Sequence, residues 1–229
     1  MERELAIVMA TCYKYRDTWH PFFTLFEKYW PNCKLKKYVV ADCSVNAPSD
    51  WIVIQSKPET SWCKTVLNGL DCIQQRSVLL LQDDFFINAP VREDLVKISV
   101  EHMNEVGANA LRIYPCPGPD EECEGNFGVL SKNADYRVSC QATIWDRAIL
   151  RIMMMRFETP MQFELEGTMW SRQMILSGLL GWRRDSVPWP ISYICTAIVR
   201  GCWTKGAIEL CAEEGITLDI SLRPIGEIG

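Results

Sequence analysis

The sequence predicts an α/β fold with a mainly parallel central sheet flanked by helices. Short apolar runs alternate with amphipathic stretches along the first part of the chain, and strands that alternate with helices form parallel βαβ units. The chain has 229 residues, of which 48% are hydrophobic and 23% charged, so it can bury one large core. Because no Ser- or Gly-rich linker interrupts it, we expect a single domain over residues 1–229.

The first part of the chain is expected to form four strands, of which the first and the fourth are expected to be buried. They are the apolar runs Leu5–Ala10, Tyr38–Ala41, Trp51–Ile54 and Val78–Leu81. Aromatic side chains recur at helical spacing from Trp19 to Trp30, and Pro31 ends this helix. Apolar residues from Cys63 to Ile73 trace one face of a second helix.

The later part of the chain is expected to mix helices with further strands. We predict helices at Glu93–Val106, Asp146–Met155 and Lys205–Glu214, and strands at Ala110–Ile113, Phe127–Leu130, Tyr136–Ile144 and Ile191–Val199. An acidic loop rich in proline and glycine, which includes Glu124, separates the first two of these strands. Thr159, Pro160 and Gln162 have the spacing of a capping box, so a further helix should begin at Pro160.

Charge and hydropathy exclude two classes of partner. The net charge is -5, and an acidic chain lacks the clustered lysines and arginines that contacts with nucleic-acid phosphates require. No apolar run approaches the ~18 residues that would cross a bilayer, so we expect no transmembrane segment. The apolar run near the start is too short for a signal peptide and indicates the first strand of the fold instead.

The cysteine and histidine counts narrow the chemistry further. Eleven cysteines is an odd number and no C-x-x-C pair occurs, so we expect neither a disulfide framework nor a structural zinc site. Cysteines in apolar stretches, such as Cys72, Cys140 and Cys195, are predicted to be reduced, mostly buried thiols of a cytoplasmic protein. Two histidines leave little from which to build a His-based catalytic triad.

Two adjacent carboxylates give the strongest chemical signal in the sequence. Asp83 and Asp84 follow the apolar run Val78–Leu81, with only Gln82 between, and ligands of open α/β sheets bind beyond the carboxyl ends of the strands. Two neighbouring anions at such a place repel each other unless a cation joins them. Carboxylate oxygens suit Mg²⁺ or Mn²⁺, which fill their other positions with phosphate and water oxygens. The motif therefore predicts a metal that bridges the protein and a diphosphate.

Other polar residues are expected at the same edge of the sheet. They lie in the loop after the first strand, at the end of the second strand and on the polar face of the following helix: Tyr13, Lys14, Arg16, Asp42, Lys64 and Asn68. Lys64 is a candidate to neutralise a phosphate, and Asn68 to hold a base or a ribose. Together these residues predict a nucleotide pocket.

The order of these elements resembles the nucleotide-binding half of GT-A glycosyltransferases. In that family the last strand ends in an Asp-x-Asp motif that holds a divalent metal and the diphosphate of a nucleotide-sugar. The resemblance makes Asp84 the metal ligand and places Asp83 at the middle position of the motif. It also divides the chain into a nucleotide-binding half, residues 1–90, and an acceptor-side half, residues 107–229. Gln82 departs from the motif because it replaces the first acidic residue with an amide.

The acceptor-side half resembles a branch of bacterial and viral GT-A-like transferases. There a Gln-x3-Trp is followed by Glu-x-Pro and by an aromatic-Glu pair, which match Gln141, Trp145, Glu158, Pro160, Phe163 and Glu164. Gln141 and Trp145 are expected to shape a sugar pocket. An inverting transferase needs a carboxylate base to take the proton of the acceptor hydroxyl. Glu164 is the first candidate for this base and Glu158 the second.

The resemblance implies transfer of a sugar from a UDP- or GDP-linked donor to a hydroxyl of a glycan or glycoconjugate, assisted by Mn²⁺ or Mg²⁺. Three alternatives stay open. They are a nucleotidyltransferase, a metal-dependent phosphohydrolase and a non-catalytic sugar- or nucleotide-binding protein derived from a transferase. The first should carry a Gly-rich loop after the first strand, which this sequence lacks, and the second usually needs more metal ligands. Gln82 keeps the third open.

Overall fold

A computed structural model describes residues 1, 4–123, 125–173 and 178–226, and Glu124 of the acidic loop lies outside them. The strands in these ranges are β1 (Leu5–Ala10), β2 (Lys36–Ala41), β3 (Trp51–Gln55), β4 (Ser77–Gln82), β5 (Ala110–Arg112), β6 (Glu121–Glu122), β7 (Phe127–Val129), β8 (Thr143–Asp146), β9 (Leu179–Trp182), β10 (Ile198–Val199) and β11 (Cys202–Trp203). The helices are α1 (Trp19–Tyr29), α2 (Trp62–Cys72), α3 (Glu93–Glu105), α4 (Arg147–Met154), α5 (Pro160–Gln173) and α6 (Lys205–Glu213). A 3-10 helix at Tyr13–Thr18 precedes α1.

One sheet runs through the whole fold in the order β3-β2-β1-β4-β8-β5-β9-β7-β6. The first four strands are parallel to one another. β8 lies antiparallel between β4 and β5, which restores the direction of β5, and β5 pairs in parallel with β9. The predicted α/β class, with a large and mostly parallel central sheet flanked by helices, is therefore confirmed.

Both faces of the sheet are covered, as expected for strands that are apolar throughout. Along β1, Leu5, Ile7 and Met9 point into one core, and the alternate residues point into the other. The first core packs against α1, α3 and α6, and the second against α2, α4 and α5. Burying each such aliphatic side chain contributes about 1.5–3 kcal/mol, so the centre of the sheet contributes strongly to the stability of the fold.

The predicted elements of the first part are confirmed, with bounds that differ by one or two residues. β2 begins at Lys36, before the apolar run, because Lys36 and Lys37 already pair with β1, and Lys37 is buried. Its ammonium group forms an ion pair with Asp50 and lies 5.8 Å from the centre of the Phe26 ring. The charged Lys37 is thus tolerated in a buried strand because Asp50 pairs with its charge.

Two predicted strands of the later part are largely wrong. The run Tyr136–Ile144 forms a strand only from Thr143, because the carbonyl groups of residues 136–138 accept hydrogen bonds from side chains rather than from a neighbouring strand. Arg112 donates to the Tyr136 carbonyl at 2.6 Å and to the Arg137 carbonyl at 3.2 Å. The predicted strand 191–199 is a strand only at β10, and β9 was not predicted.

The cysteines are all free thiols, but the expectation that most are buried is wrong. Only Cys63 and Cys211 are buried, whereas Cys72 and Cys195 are exposed. Apolar neighbours in sequence did not ensure burial, because Cys72 lies at the end of a helix and Cys195 in a loop. Among the described residues, no helix is both long and apolar enough to cross a membrane.

Gly69 allows α2 to approach β2 closely, which provides a test of the packing. A Cβ atom at this position would lie 2.2 Å from Cγ1 of Val40. We expect Gly69→Ala to lower the free energy of unfolding by about 1–3 kcal/mol, because the strand and helix cannot separate without loss of packing. Urea denaturation measures this change.

The matched control is Gly206→Ala in α6, where the added Cβ would meet Ile194 at 3.7 Å, an ordinary contact. This variant should keep or slightly raise the stability, by up to about 1 kcal/mol. Equal effects of the two variants would contradict the packing described here.

Candidate functional site

A cleft of about 830 Å³ opens at the carboxyl ends of β1, β2 and β4. This is where a parallel sheet places the loops that follow its strands. The described residues that line the cleft are Ala10, Thr11, Cys12, Lys14, Tyr15, Asp42, Glu59, Thr60, Trp62, Thr65, Gln82, Asp83, Asp84, Phe85, Cys140, Gln141, Pro160, Glu164 and Thr196. Six of the residues predicted from the sequence are among them: Lys14, Asp42, Asp83, Asp84, Gln141 and Glu164.

Asp83 and Asp84 lie side by side in the wall of the cleft, each held by a threonine. The Thr11 hydroxyl donates to Oδ2 of Asp83, and it accepts a hydrogen bond from Nε1 of Trp19 at 2.7 Å. The Thr196 hydroxyl donates to Oδ2 of Asp84. These contacts come from three separate parts of the chain, and they fix both carboxyl groups at the rim of the sheet.

The two carboxyl groups are electrostatically unfavourable as they stand. Burial and the charge of Asp84 raise the pKa of Asp83 well above its usual range. Burial raises the pKa of Asp84 from 3.8 to about 6, against the lowering effect of the hydrogen bond from Thr196. Both shifts mean that the ionised forms lack compensation by the protein alone. A cation bound between the carboxylates and a ligand would supply this compensation.

The carboxylates of Asp83 and Asp84 fit a hard divalent cation for which the protein supplies only some of the ligands. No group of three or more His, Cys, Asp or Glu side chains in the described ranges could enclose a metal ion. Mg²⁺ and similar ions commonly use one or two carboxylates and complete their coordination with phosphate and water oxygens. Asp83 and Asp84 offer this kind of set, whereas a dedicated protein cage is not formed by the described residues.

The loop after β1 forms a second wall of the cleft. Lys14 and Tyr15 face the cleft, and the backbone N–H of Tyr13 donates to Oδ1 of Asp42 at 2.9 Å. The side chains of Tyr13 and Arg16 lie outside the cleft and stack on each other, with Cζ of Arg16 4.4 Å from the ring centre. Asp42 thus ties the loop to the end of β2.

The opposite wall carries Gln141 and Glu164. Oε1 of Gln141 accepts a hydrogen bond from the Tyr193 hydroxyl at 2.6 Å, which leaves its NH₂ group as the donor end. Oε1 of Glu164 accepts from the Cys140 backbone N–H at 2.8 Å and from the Ser139 hydroxyl at 3.1 Å. Two donors therefore hold the Glu164 carboxylate in one orientation at the cleft.

The capping box at the start of α5 leaves Glu164 at the cleft and Glu158 outside it. The Gln162 backbone N–H donates to the Thr159 hydroxyl at 3.2 Å, and Oε1 of Gln162 accepts from the Thr159 N–H at 3.2 Å. α5 begins at Pro160, as predicted. Glu158 lies just before this cap on the surface, and its carboxylate pairs with Nζ of Lys64 at 2.7 Å.

The structure places three further predicted residues away from the cleft lining. Lys64 is exposed and paired with Glu158, and Nδ2 of Asn68 donates to the Ser56 hydroxyl at 2.9 Å. Trp145 is buried in the core, because antiparallel β8 pairs it with Val78 at the start of β4. Trp145 lies four residues beyond Gln141 along this segment, a distance of up to about 13 Å.

Several lining residues were not predicted from the sequence. Thr11 follows β1 directly, so its position at a carboxyl strand end could have marked it. Gln82 Oε1 accepts from Nε1 of Trp62 at 3.2 Å, a contact that joins β4 to the first residue of α2. Thr196 lines the cleft and Tyr193 donates to the lining residue Gln141. Both lie in the segment expected to be a strand, and no local pattern indicates that this segment returns to the cleft.

Comparison of the whole fold with known structures shows similarity to two kinds of nucleotide-handling enzymes. TarS of S. aureus aligns with a TM-score of 0.52 and 15% identity, over 80% of this chain and 35% of that chain. TarS 1-349 in complex with UDP aligns at 0.50 and 13% identity, over 80% of this chain and 58% of that chain. A cytidylyltransferase from Leptospira borgpetersenii aligns at 0.50 and 9% identity, over 80% and 76%.

These likenesses show the fold: GT-A-like or nucleotidyltransferase-like. This chain spans about a third of the full TarS chain and 58% of TarS 1-349. No protein-family model matches the sequence, and no curated protein sequence is significantly similar to it.

The raised pKa of Asp84 predicts a stability difference that depends on pH. The folded-state pKa of about 6 exceeds the usual 3.8, so ionisation of Asp84 destabilises the fold. This cost is absent below about pH 4 and complete above about pH 6. We therefore expect Asp84→Asn, in EDTA, to be more stable than the unchanged protein at pH 7.5, by at most about 3 kcal/mol.

Thermal unfolding at pH 4 and pH 7.5 measures the effect. The stabilising effect of Asp84→Asn should be near zero at the lower pH and amount to several degrees at the higher one. A gain that is equal at both pH values would show that the ionised carboxylate is not the cause.

Proposed function

We propose that this protein is a glycosyltransferase that moves a sugar from a UDP- or GDP-linked donor to a hydroxyl of a glycan or glycoconjugate, with Mn²⁺ or Mg²⁺. The observation that carries the proposal is that one cleft holds both a pair of carboxylates suited to a metal ion and a separate carboxylate suited to act as a base. Asp83 and Asp84 lie on one wall and offer carboxylate ligands for a divalent cation. The carboxylate of Glu164, held by the Cys140 N–H, lines the same cleft. Transfer of a glycosyl group needs both charge stabilisation of a leaving diphosphate and a base.

On the donor side, Asp84, with Asp83 beside it, would hold the metal, and Lys14 would contribute a further positive charge. The metal, when bound, supplies charge stabilisation to the departing diphosphate. Asp42 accepts from the backbone at Tyr13 and so keeps the Lys14–Tyr15 wall in place. The amide N–H groups of Gln141 are donors suited to hydroxyl or phosphate oxygens of the donor.

On the acceptor side, Glu164 would take the proton of the attacking hydroxyl. Its Oε1 atom is held by Cys140 and Ser139, so the carboxylate is oriented before the acceptor binds. Such preorganisation is what general-base catalysis requires. This role applies to transfer with inversion of configuration.

The loop after β1 favours glycosyl transfer over nucleotidyl transfer. A nucleotidyltransferase must grip a triphosphate at this loop, and Gly-rich loops with several cations serve that purpose. Residues 11–17 contain no glycine, and Lys14 is the one cationic side chain among the described residues that line the cleft. A single lysine and a metal suit a diphosphate better than a triphosphate.

A donor screen tests the proposed function. Thermal shift and calorimetry with UDP, GDP, CTP and UTP, each with and without Mn²⁺, should show that a nucleoside diphosphate binds only with the metal. Slow release of UDP or GDP from the matching nucleotide-sugar should follow. Release of pyrophosphate from CTP or UTP with a sugar phosphate would instead show nucleotidyl transfer. Binding without any turnover would indicate a non-catalytic protein.

Asp84→Ala should abolish metal-dependent binding of the nucleoside diphosphate, because the carboxylate that would hold the metal is gone. A loss of at least 100-fold in affinity is expected if the metal bridges protein and diphosphate, on the order of 3 kcal/mol. Isothermal titration calorimetry in Mn²⁺ measures it. Unchanged affinity would remove the metal role from Asp84.

Glu164→Gln should retain donor binding and lose transfer. The amide keeps the size of the side chain and accepts the same hydrogen bonds, but it cannot take a proton, so kcat should fall by about 10²–10⁴-fold. Glu166→Gln, an exposed residue of the same helix, is the matched control and should keep normal turnover. Near-normal turnover of Glu164→Gln would assign the base to another group, with Glu158 next to be tested.

A further inference from the structure

The C-terminal segment places a buried arginine behind one wall of the cleft. After α6, residues 216–226 include Arg223, which contacts the 3-10 helix Tyr13–Thr18. The side chain of Arg223 in this segment is only 8% exposed. Its Nε and Nη2 atoms donate to both carboxylate oxygens of Asp17, at 2.8 and 3.1 Å, and Nη2 also donates to the Lys14 carbonyl at 3.1 Å.

Arg223 also lies between two aromatic rings. Its Cζ atom is 4.7 Å from the ring centre of Tyr15 and 5.6 Å from that of Trp203. The segment is anchored on Trp203, whose backbone N–H donates to Pro224 and whose carbonyl accepts from Gly226, both at 2.9 Å. The arginine is therefore fixed at one place behind the wall that Lys14 and Tyr15 form.

The charge of Arg223 reaches the two aspartates. Its positive charge lowers the pKa of Asp84 in part, although burial dominates that group. The acidic side chains that line the cleft are Asp42, Glu59, Asp83, Asp84 and Glu164, and Lys14 is the one cation among the described lining residues. A diphosphate that enters this cleft meets an excess of negative charge, so a fixed cation behind the wall matters for its binding.

We propose that Arg223 is a positioning residue of the donor side of the cleft. It holds Lys14 and Tyr15 against the twin aspartates, and its charge favours a bound diphosphate. The inference rests on the proposed function, because it assumes that a diphosphate and a divalent cation occupy the cleft. It adds the C-terminal segment to the donor site.

The charge role predicts effects of opposite sign on two ligands. Removing a positive charge should weaken binding of the anionic UDP and strengthen binding of Mn²⁺ to the nucleotide-free protein. For Arg223→Gln we expect a change of about three- to tenfold in each direction. Asp17→Asn leaves the arginine charge less compensated and should move both affinities the other way. Arg223→Lys keeps the charge and should restore most of both affinities.

The experiment combines calorimetry of UDP at a fixed saturating Mn²⁺ concentration with titration of Mn²⁺ alone, followed by the electron paramagnetic resonance signal of the free ion. Arg76→Gln is the matched control, because this arginine precedes β4 at the opposite edge of the sheet and its side chain is 66% exposed. Circular dichroism checks that every variant is folded.

The outcomes separate this inference from the proposed function. Opposite changes in the two affinities of Arg223→Gln, restored by Arg223→Lys, support it. Loss of both affinities without rescue would show a merely structural arginine and overturn it, as would unchanged affinities in Arg223→Gln when the unchanged protein binds UDP. Failure of the unchanged protein to bind both UDP and Mn²⁺ overturns the proposed function and the inference together.

Discussion

Two carboxyl groups held next to each other at the end of a buried strand are the constraint on which the rest of the site depends. β4 is buried on both faces, so it delivers Asp83 and Asp84 to the rim of the sheet with little freedom. Thr11 and Thr196 then hold the carboxyl groups from two other parts of the chain. A fold can retain such an unfavourable pair only where the surrounding packing stabilises it. A cation that relieves the repulsion therefore gains that free energy on binding.

The antiparallel strand β8 gives the cleft its second wall. Because β8 runs against β4, the residues that precede it, including Gln141, lie beside the carboxyl end of β4. α5 then starts below the same loop, and Glu164 accepts the Cys140 N–H. The carboxylates of Asp83 and Asp84 and the oriented carboxylate of Glu164 are thereby brought together from segments some 80 residues apart in sequence. This arrangement, rather than any single motif, supports transfer chemistry.

Local patterns predicted most of the fold and about half of the site. Buried strands, amphipathic helices and the capping box at Pro160 each leave a periodic or positional signal, and Asp83 and Asp84 were found because they follow a strand. Trp145 was misplaced because strand direction, which decides the end of the sheet that a residue occupies, has no local signal. The segment 136–142 was misassigned because the side chains of Arg112 and Thr168, distant in sequence, bond the carbonyl groups at its start. Tyr193, Thr196 and Arg223 depend on tertiary packing in the same way.

The central claim is that the twin aspartates bind a divalent cation together with a diphosphate. Crystals grown with Mn²⁺ and UDP, measured at a wavelength where manganese scatters anomalously, test it most directly. The account predicts one anomalous peak in the cleft, within coordination distance of the Asp84 carboxylate and of diphosphate oxygens. UDP bound in the cleft without such a peak, or manganese bound only elsewhere on the protein, would contradict it.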